Sequence, residues 1–258
     1  MKASSAQVSF PRAVLVEFAE ASGDRSPLHG DDEYAQDTSF GQTIIHGSCS
    51  LLAMLARTPM GSHAPLSITS IFRQAVLPDR TYRVEAGARE QGWRVELLED
   101  DVALITSNMR EIDGSSPPGP PSATPSPMRK TSATPTASQV LADPPVYGEY
   151  TPDAVRLLDL ARTYSGGGDL SPALAIALGW ISYLAGMELP GRDSMCRRVD
   201  LTIHRAGSLA PDLTYEARVE GFDDRTNMLR VAGILFQDGT AVASCSLGVH
   251  WRRGPQDG

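Results

Sequence analysis

The feature that most constrains the fold is a proline-rich segment that divides the chain into two halves of nearly equal length. Residues 112–146 hold nine of the nineteen prolines, and Ser, Thr and Gly make up 12 of the other 26 residues. Such a composition is typical of an extended tether that buries no core of its own. The sequence therefore predicts two units, residues 1–111 and 147–258, joined by a linker over 112–146.

The two halves also repeat one another. The string LPDRTY at 77–82 matches APDLTY at 210–215, an offset of 133 residues. At nearly the same offset, the segment around Ile45-His46-Gly47 aligns with the one around Leu178-Gly179. The apolar helical pattern predicted at 171–187 is thus the counterpart of the one predicted at 46–57.

In each half the predicted helix is followed by four β-rich runs, and Asp238-Gly239 forms a hairpin turn between the last two. The predicted strands are 66–76, 80–90, 92–98 and 101–110 in the first half, and 195–205, 212–222, 227–237 and 240–251 in the second. A long helix followed by an antiparallel meander buries its apolar face by having the sheet wrap around it. We therefore predict an α+β fold of two such units, paired side by side as a pseudo-dimer with a continuous sheet.

The segment LSPALAIALGWISYLAGM at 170–187 carries no charge and has a length at the lower edge of a membrane span. Gly179, Ser182, Tyr183 and Gly186 dilute its hydrophobicity, and no basic cluster flanks it closely. We interpret it as a buried helix and expect no membrane association.

The candidate catalytic residues lie between Phe18 and Gly47. Asp24 and His29 bracket Arg-Ser-Pro-Leu, and Gly23 and Pro27 break the preceding helical run, so both ionisable groups are predicted on a loop. His titrates near neutrality while Asp is ionised there, so the pair could hold one water and exchange protons with it.

A helix start follows about 18 residues later. FGQTIIHGS precedes the apolar helical pattern CSLLAMLA, which places Gly47 in the first turn of that helix. Unpaired N–H groups and the positive end of the helix dipole stabilise developing negative charge there. Gly47 is therefore the candidate oxyanion donor.

These two strings resemble the motifs of the MaoC-like dehydratases and (R)-specific enoyl-thioester hydratases. SGDRSPLH is similar to that family's S-G-D-x-N-P-L-H, and FGQTIIHG to its F-G-x-x-I-x-H-G. The resemblance implies a double-hotdog fold, catalytic Asp24 and His29, and a Gly47 amide that polarises a thioester carbonyl. Ser26 departs from the pattern, because the family usually has Asn at that position.

Three further residues are assigned to the oxyanion and substrate-binding group: Ser26, His46 and Ser48. For His46, packing or a hydrogen bond that shapes the turn is the competing interpretation. Asp24 and His29 with Asp31 and Asp32 could be a metal site, but three carboxylates and one His make a weak ligand set. The acids of DDEYAQ suit a helix N-terminus better. We expect no metal and no cofactor.

Composition restricts the partners and the compartment. A net charge of −8 without a basic run argues against nucleic acid. An acidic acyl carrier protein could still dock at a local patch involving Arg73, Arg80 or Arg83, and charge does not separate it from coenzyme A. Three scattered cysteines without a CxxC motif indicate neither a disulfide framework nor a zinc site. The same cysteines indicate a reducing compartment. The N-terminus has no apolar signal core, so a cytoplasmic location is expected. Two pseudo-dimers could form a homodimer.

The second half lacks the histidine of the motif. In TYSGGGDLSPALAIALG, Asp169, Ser171 and Pro172 could be a remnant of it, and Asp169 is better interpreted as a residue near a helix N-cap. This half is therefore predicted to be catalytically silent.

The resemblance predicts a lyase, an (R)-specific 3-hydroxyacyl-thioester dehydratase or enoyl-thioester hydratase. Its substrates would be acyl-CoA or acyl-carrier-protein thioesters of fatty-acid or polyketide-type metabolism. A cyclase or double-bond isomerase of the same fold and a non-catalytic acyl-thioester binding module are the alternatives. Thioesterase activity is disfavoured, because the loop resembles the hydratase signature.

Overall fold

The computed structural model describes residues 4–59, 65–113, 144–166, 170–191, 194–205, 207 and 212–251. Its α-helices are α1 Ala13–Ser22, α2 Pro27–Gly30, α3 Asp32–Gln36, α4 Gly47–Leu55, α5 Ala154–Ser165 and α6 Pro172–Tyr183, and a π-helical turn, Leu184–Glu188, continues α6. The strands are β1 Ser4–Ser9, β2 Leu66–Phe72, β3 Thr81–Arg89, β4 Gly92–Glu99, β5 Val102–Glu111, β6 Val146–Tyr150, β7 Ser194–Ile203, β8 Leu213–Asp223, β9 Met228–Gln237 and β10 Thr240–Trp251.

The strands form one ten-stranded sheet in the order β1-β3-β4-β5-β2-β7-β10-β9-β8-β6. The two halves meet where β2 pairs antiparallel with β7, with Leu66 opposite Ile203 and Ile71 opposite Arg198. The order of strands on one side of this junction mirrors the order on the other. The predicted α+β double hotdog with a continuous sheet is thus confirmed.

Two buried helices pack against the sheet. Residues Ser48–Leu55 of α4 and Ala173–Ser182 of α6 are buried on every face, as expected for helices that are apolar all round. They pack against each other, α4 also contacts α5 and β4, and α6 contacts β7 and β10. The uncharged run at 170–187 therefore forms part of the core, and no helix in the described ranges is long and apolar enough to cross a membrane.

Strand β2 ends at Phe72, four residues before its predicted end at 76. The chain turns out of the sheet there, because the carbonyl of Val76 accepts a hydrogen bond from Ile45 N–H at 2.8 Å. Gln74, Ala75 and Val76 line a cavity between the halves instead. A period-two pattern cannot show that the strand ends at Phe72, because the residue that bonds Val76 instead, Ile45, is remote in sequence.

The sequence analysis missed β1, β6 and α5. β1 and β6 are short strands at the two edges of the sheet, paired only with β3 and β8 respectively. Their strings, SSAQVS and VYGEY, lack a run of alternating apolar residues, because an edge strand is only partly covered. β6 begins at Val146, a residue that the prediction placed in the linker.

Candidate functional site

The loop that carries Asp24 begins where α1 ends. Gly23 adopts a left-handed conformation, with φ of 78°, and its N–H donates to the carbonyl of Ala19. Glycine adopts this conformation without the steric cost of a Cβ. The turn directs Asp24 inward, and only 2% of this residue is exposed.

His29 lies on the one-turn helix α2 rather than on a loop, which corrects the prediction. Pro27 occupies the first turn of this helix, where its fixed φ and missing N–H are tolerated. The His29 Nδ1 lies 2.7 Å from the carbonyl oxygen of Ile44. Because a carbonyl can only accept, Nδ1 carries the hydrogen and Nε2 is the free acceptor of the neutral ring.

The Asp24 carboxylate is held by donors from both halves of the chain. Its Oδ1 accepts from the Ser26 N–H at 3.1 Å, and its Oδ2 accepts from the Ser182 hydroxyl on α6 at 2.6 Å. The backbone of Gly186 packs so closely that a Cβ there would lie 2.3 Å from Oδ1. Asp24, the acid of the predicted pair Asp24 and His29 (the dyad), is therefore fixed partly by the half that lacks the motif.

His46 lies behind His29 rather than facing substrate. Its ring is fully buried and stacks on that of His29 at a centroid distance of 3.7 Å, and its Nε2 lies 3.2 Å from the backbone oxygen of Asp24. It is absent from the described residues that line the cavity. The geometry favours the packing interpretation of His46 over the substrate-binding assignment.

A cavity of about 80 Å³ opens in front of the dyad. Asp24, Ser26, His29, Gly47 and Ser48 all line it, so the remaining predicted site residues are brought together. The rest of the wall comes from both halves and is largely apolar: Leu28, Ile44, Ile45, Phe72, Gln74, Ala75, Val76, Ile105, Ile181, Ser182, Ala185, Gly186, Ser194, Met195, Cys196, Arg197 and Val199.

Gly47 starts α4, as predicted, with His46 as its N-cap residue. Among the described residues, none accepts a hydrogen bond from the Gly47 amide. The ring of Phe72 packs against this residue, and a Cβ at position 47 would lie 2.9 Å from it. A free amide at a helix N-terminus on the cavity wall is suited to bind a developing oxyanion.

Burial determines the charge state of the two histidines. It lowers the pKa of His29 below 6.5, and the nearby Asp24 charge and the bond to the Ile44 carbonyl only partly oppose it. Burial lowers the pKa of His46 further, with His29 as the next cause. Both imidazoles are therefore neutral at neutral pH.

The four-residue metal set considered from the sequence does not converge. Asp31 caps α3 by accepting from Tyr34 N–H at 3.0 Å, and Asp32 pairs with Arg12. The helix-start interpretation of these acids is thus confirmed. Ligand atoms of Asp24, His29 and His46 do lie within 4.8 Å of one another. The two imidazoles stack at a centroid distance of 3.7 Å, and one nitrogen of each ring already faces a backbone oxygen.

The arginines suggested for carrier docking are already engaged within the chain. Arg80 pairs with Glu99 at 2.9 Å, and Arg83 pairs with Glu85 at 2.9 Å. Arg73 donates to the Thr106 hydroxyl at 2.7 Å. Docking at these residues remains a prediction.

In the second half, Asp169 lies outside the described residues. Ser171 is the N-cap residue of α6 and accepts from Leu174 N–H at 3.1 Å. The absence of a separate active site in this half stays a prediction.

The sequence analysis missed Ser182 and Gly186 as site residues. They are four positions apart, so both lie on the face of the helical segment that contacts Asp24. One signal was available: a serine inside a fully buried, otherwise apolar helix must find a hydrogen-bond partner. The sequence did not indicate which group that partner is.

Comparisons with known proteins agree with this architecture. Residues 2–96 match the family model described as MaoC like domain. No curated protein matches the chain in sequence.

Several solved structures are similar over most of their length. A MaoC-like dehydratase has a TM-score of 0.67 at 11% identity, covering 97% of this chain and 98% of its own. A conserved hypothetical protein from Mycobacterium tuberculosis with a double hotdog fold has a TM-score of 0.66 at 12% identity, covering 98% and 97%. An acyl-CoA thioesterase II from Mycobacterium marinum has a TM-score of 0.53 at 12% identity, covering 84% and 92%.

At these identities the structural matches show the fold alone. The family model adds information about the first half, because the matched range contains Asp24, Ser26, His29, Gly47 and Ser48. The chain therefore carries a MaoC-like domain over residues 2–96, within a double hotdog fold.

Proposed function

We propose that this protein is an (R)-specific 3-hydroxyacyl-thioester dehydratase, working reversibly as an enoyl-thioester hydratase. One observation carries the proposal: the buried Asp24 carboxylate, the neutral His29 and the free Gly47 amide line one cavity. A base, a fixed negative charge and an oxyanion donor are the groups that β-elimination from a thioester requires. The largely apolar wall suits an acyl chain, and the stereochemistry comes from the resemblance to the family.

In the dehydration direction, the thioester oxygen accepts from the Gly47 amide, which stabilises enolate-like charge. The Nε2 of His29 takes the C2 proton, and the C2–H electrons form the C2=C3 double bond as the C3–O bond breaks. The proton passes from His29 to the departing hydroxyl, which leaves as water. Asp24 orients that hydroxyl and stabilises the transient imidazolium.

The carrier of the acyl group is either coenzyme A or an acyl carrier protein. The test is a panel of 3-hydroxyacyl and enoyl thioesters on both carriers, with products identified by mass spectrometry. We expect a reversible mass change of one water with the thioester intact. Release of free acid would identify a thioesterase instead, and an unchanged mass with a moved double bond or a new ring would identify an isomerase or cyclase. Binding of thioesters without any conversion would identify a binding module.

The lowered pKa of His29 predicts where activity is lost in acid. The neutral imidazole is the form that accepts a proton, so protonation below its pKa removes the base. Since burial lowers that pKa from 6.5, kcat/KM for dehydration should stay level at neutral pH and fall only below pH 6.5. A pH profile of initial rates measures this. A fall beginning above pH 6.5 would contradict a neutral, buried His29.

Ser26→Asn restores the residue that the family motif usually has. The contact that Ser26 makes with Asp24 uses its backbone N–H, which the substitution keeps. The Ser26 side chain makes no capping hydrogen bond to α2. We therefore expect turnover equal to or above that of the unaltered protein, measured as kcat on the best thioester of the panel. A large loss would show that the hydroxyl has a specific role in this cavity.

A further inference from the structure

We propose that Ser182, from the half of the chain without the motif, is a positioning residue that sets the orientation of the Asp24 carboxylate. The two residues are 158 positions apart, and the Ser182 hydroxyl donates to Asp24 Oδ2 at 2.6 Å. Only 8% of Ser182 and 2% of Asp24 are exposed. Both groups are therefore largely screened from bulk solvent.

The carboxylate has one donor on each oxygen. Ser26 N–H binds Oδ1 and Ser182 Oγ binds Oδ2, so the pair of bonds defines the plane of the group. The Ser26 donor belongs to the backbone and is insensitive to side-chain substitution. Ser182 is therefore the side chain that fixes this plane, and removing it frees Oδ2.

The backbone of the π-helical turn that continues α6 also restricts the carboxylate. Gly186 follows Ser182 by four residues, within the π-helical turn Leu184–Glu188, and leaves room for Oδ1 only because it has no Cβ. The turn brings the backbone of the second half against the acid of the first. Hydrogen bond and steric limit thus act together from one helical segment.

This arrangement gives the second half a part in catalysis without a site of its own. A misoriented acid lowers the rate of the chemical step more than it lowers substrate binding, because proton-transfer geometry matters most in the transition state. The inference rests on the proposed function for its kinetic readout only. The structural readout below is independent of it.

The test is Ser182→Ala in the full-length chain. We expect kcat to fall about 10- to 100-fold, the value of a buried hydrogen bond to a charged group, while KM changes less than about threefold. The matched control is Thr58→Val, which removes another buried hydroxyl that bonds the Leu55 carbonyl, remote from the dyad. It should keep the kcat of the unaltered protein.

Crystal structures of the unaltered protein and of Ser182→Ala give the second readout. In Ser182→Ala we expect the Asp24 carboxylate to rotate away from its position in the unaltered protein. In Gly186→Ala we expect it to shift, because the new Cβ would collide with Oδ1. If the Asp24 carboxylate rotates in Ser182→Ala but the unaltered protein dehydrates no thioester, the inference stands and the proposed function is refuted. An unmoved carboxylate, or an unchanged kcat in an active enzyme, would overturn the inference.

Discussion

Replacing Asp24 with Asn is expected to reduce kcat by about two to four orders of magnitude, the usual contribution of a positioned acid or base. The amide keeps the shape of the side chain and an oxygen for the Ser182 hydroxyl. It removes the negative charge that stabilises a protonated His29. Steady-state rates on the best thioester of the panel measure the loss, and His29→Ala should produce a loss of similar size.

Two controls make this result interpretable. Asp37→Asn removes a carboxylate from an exposed position at the end of α3, and it should leave kcat unchanged. Because Asp24 is buried, thermal unfolding must be compared as well, and the melting temperature should show that Asp24→Asn is folded at the assay temperature. Near-normal turnover in both Asp24→Asn and His29→Ala would refute the assignment of the dyad.

The isolated first half, residues 1–113, is expected to be insoluble or inactive. It would expose the edge of β2 that pairs with β7 and the face of α4 that packs on α6. An unpaired strand edge beside an apolar face favours aggregation. It would also lack the Ser182 hydroxyl that binds Asp24. Soluble yield, size-exclusion chromatography and turnover measure the outcome.

Co-expression with residues 144–258 should restore solubility and turnover, because the sheet and the helix contacts form without a covalent connection. A full-length chain cut at a protease site inserted between residues 113 and 144 is the matched control. It separates loss of the connection from loss of the second half, and it should stay active. An isolated first half with full turnover would show that the second half is dispensable.

The order of helices and strands was readable from local patterns. The apolar helices α4 and α6 and the eight strands that follow them were predicted to within a few residues. Burial leaves a local pattern in each: an uncharged apolar run in the two helices, and alternating or β-rich runs in the strands. The strands β1 and β6 were missed for the opposite reason. Each lies at an edge of the sheet, where one side is unpaired and the apolar period is weak.

The sequence by itself determined the composition of the candidate site: Asp24 and His29 lie in one short motif, and Gly47 begins a helix that its own residues specify. Only the tertiary structure decided how these groups are held. Asp24 is bound by Ser182 and limited by Gly186, and His46 lies behind His29. The contacts of Asp24 with Ser182 and Gly186 depend on packing the helical segment of one half against the loop of the other. Residues about 160 positions apart leave no local period that could reveal such a contact.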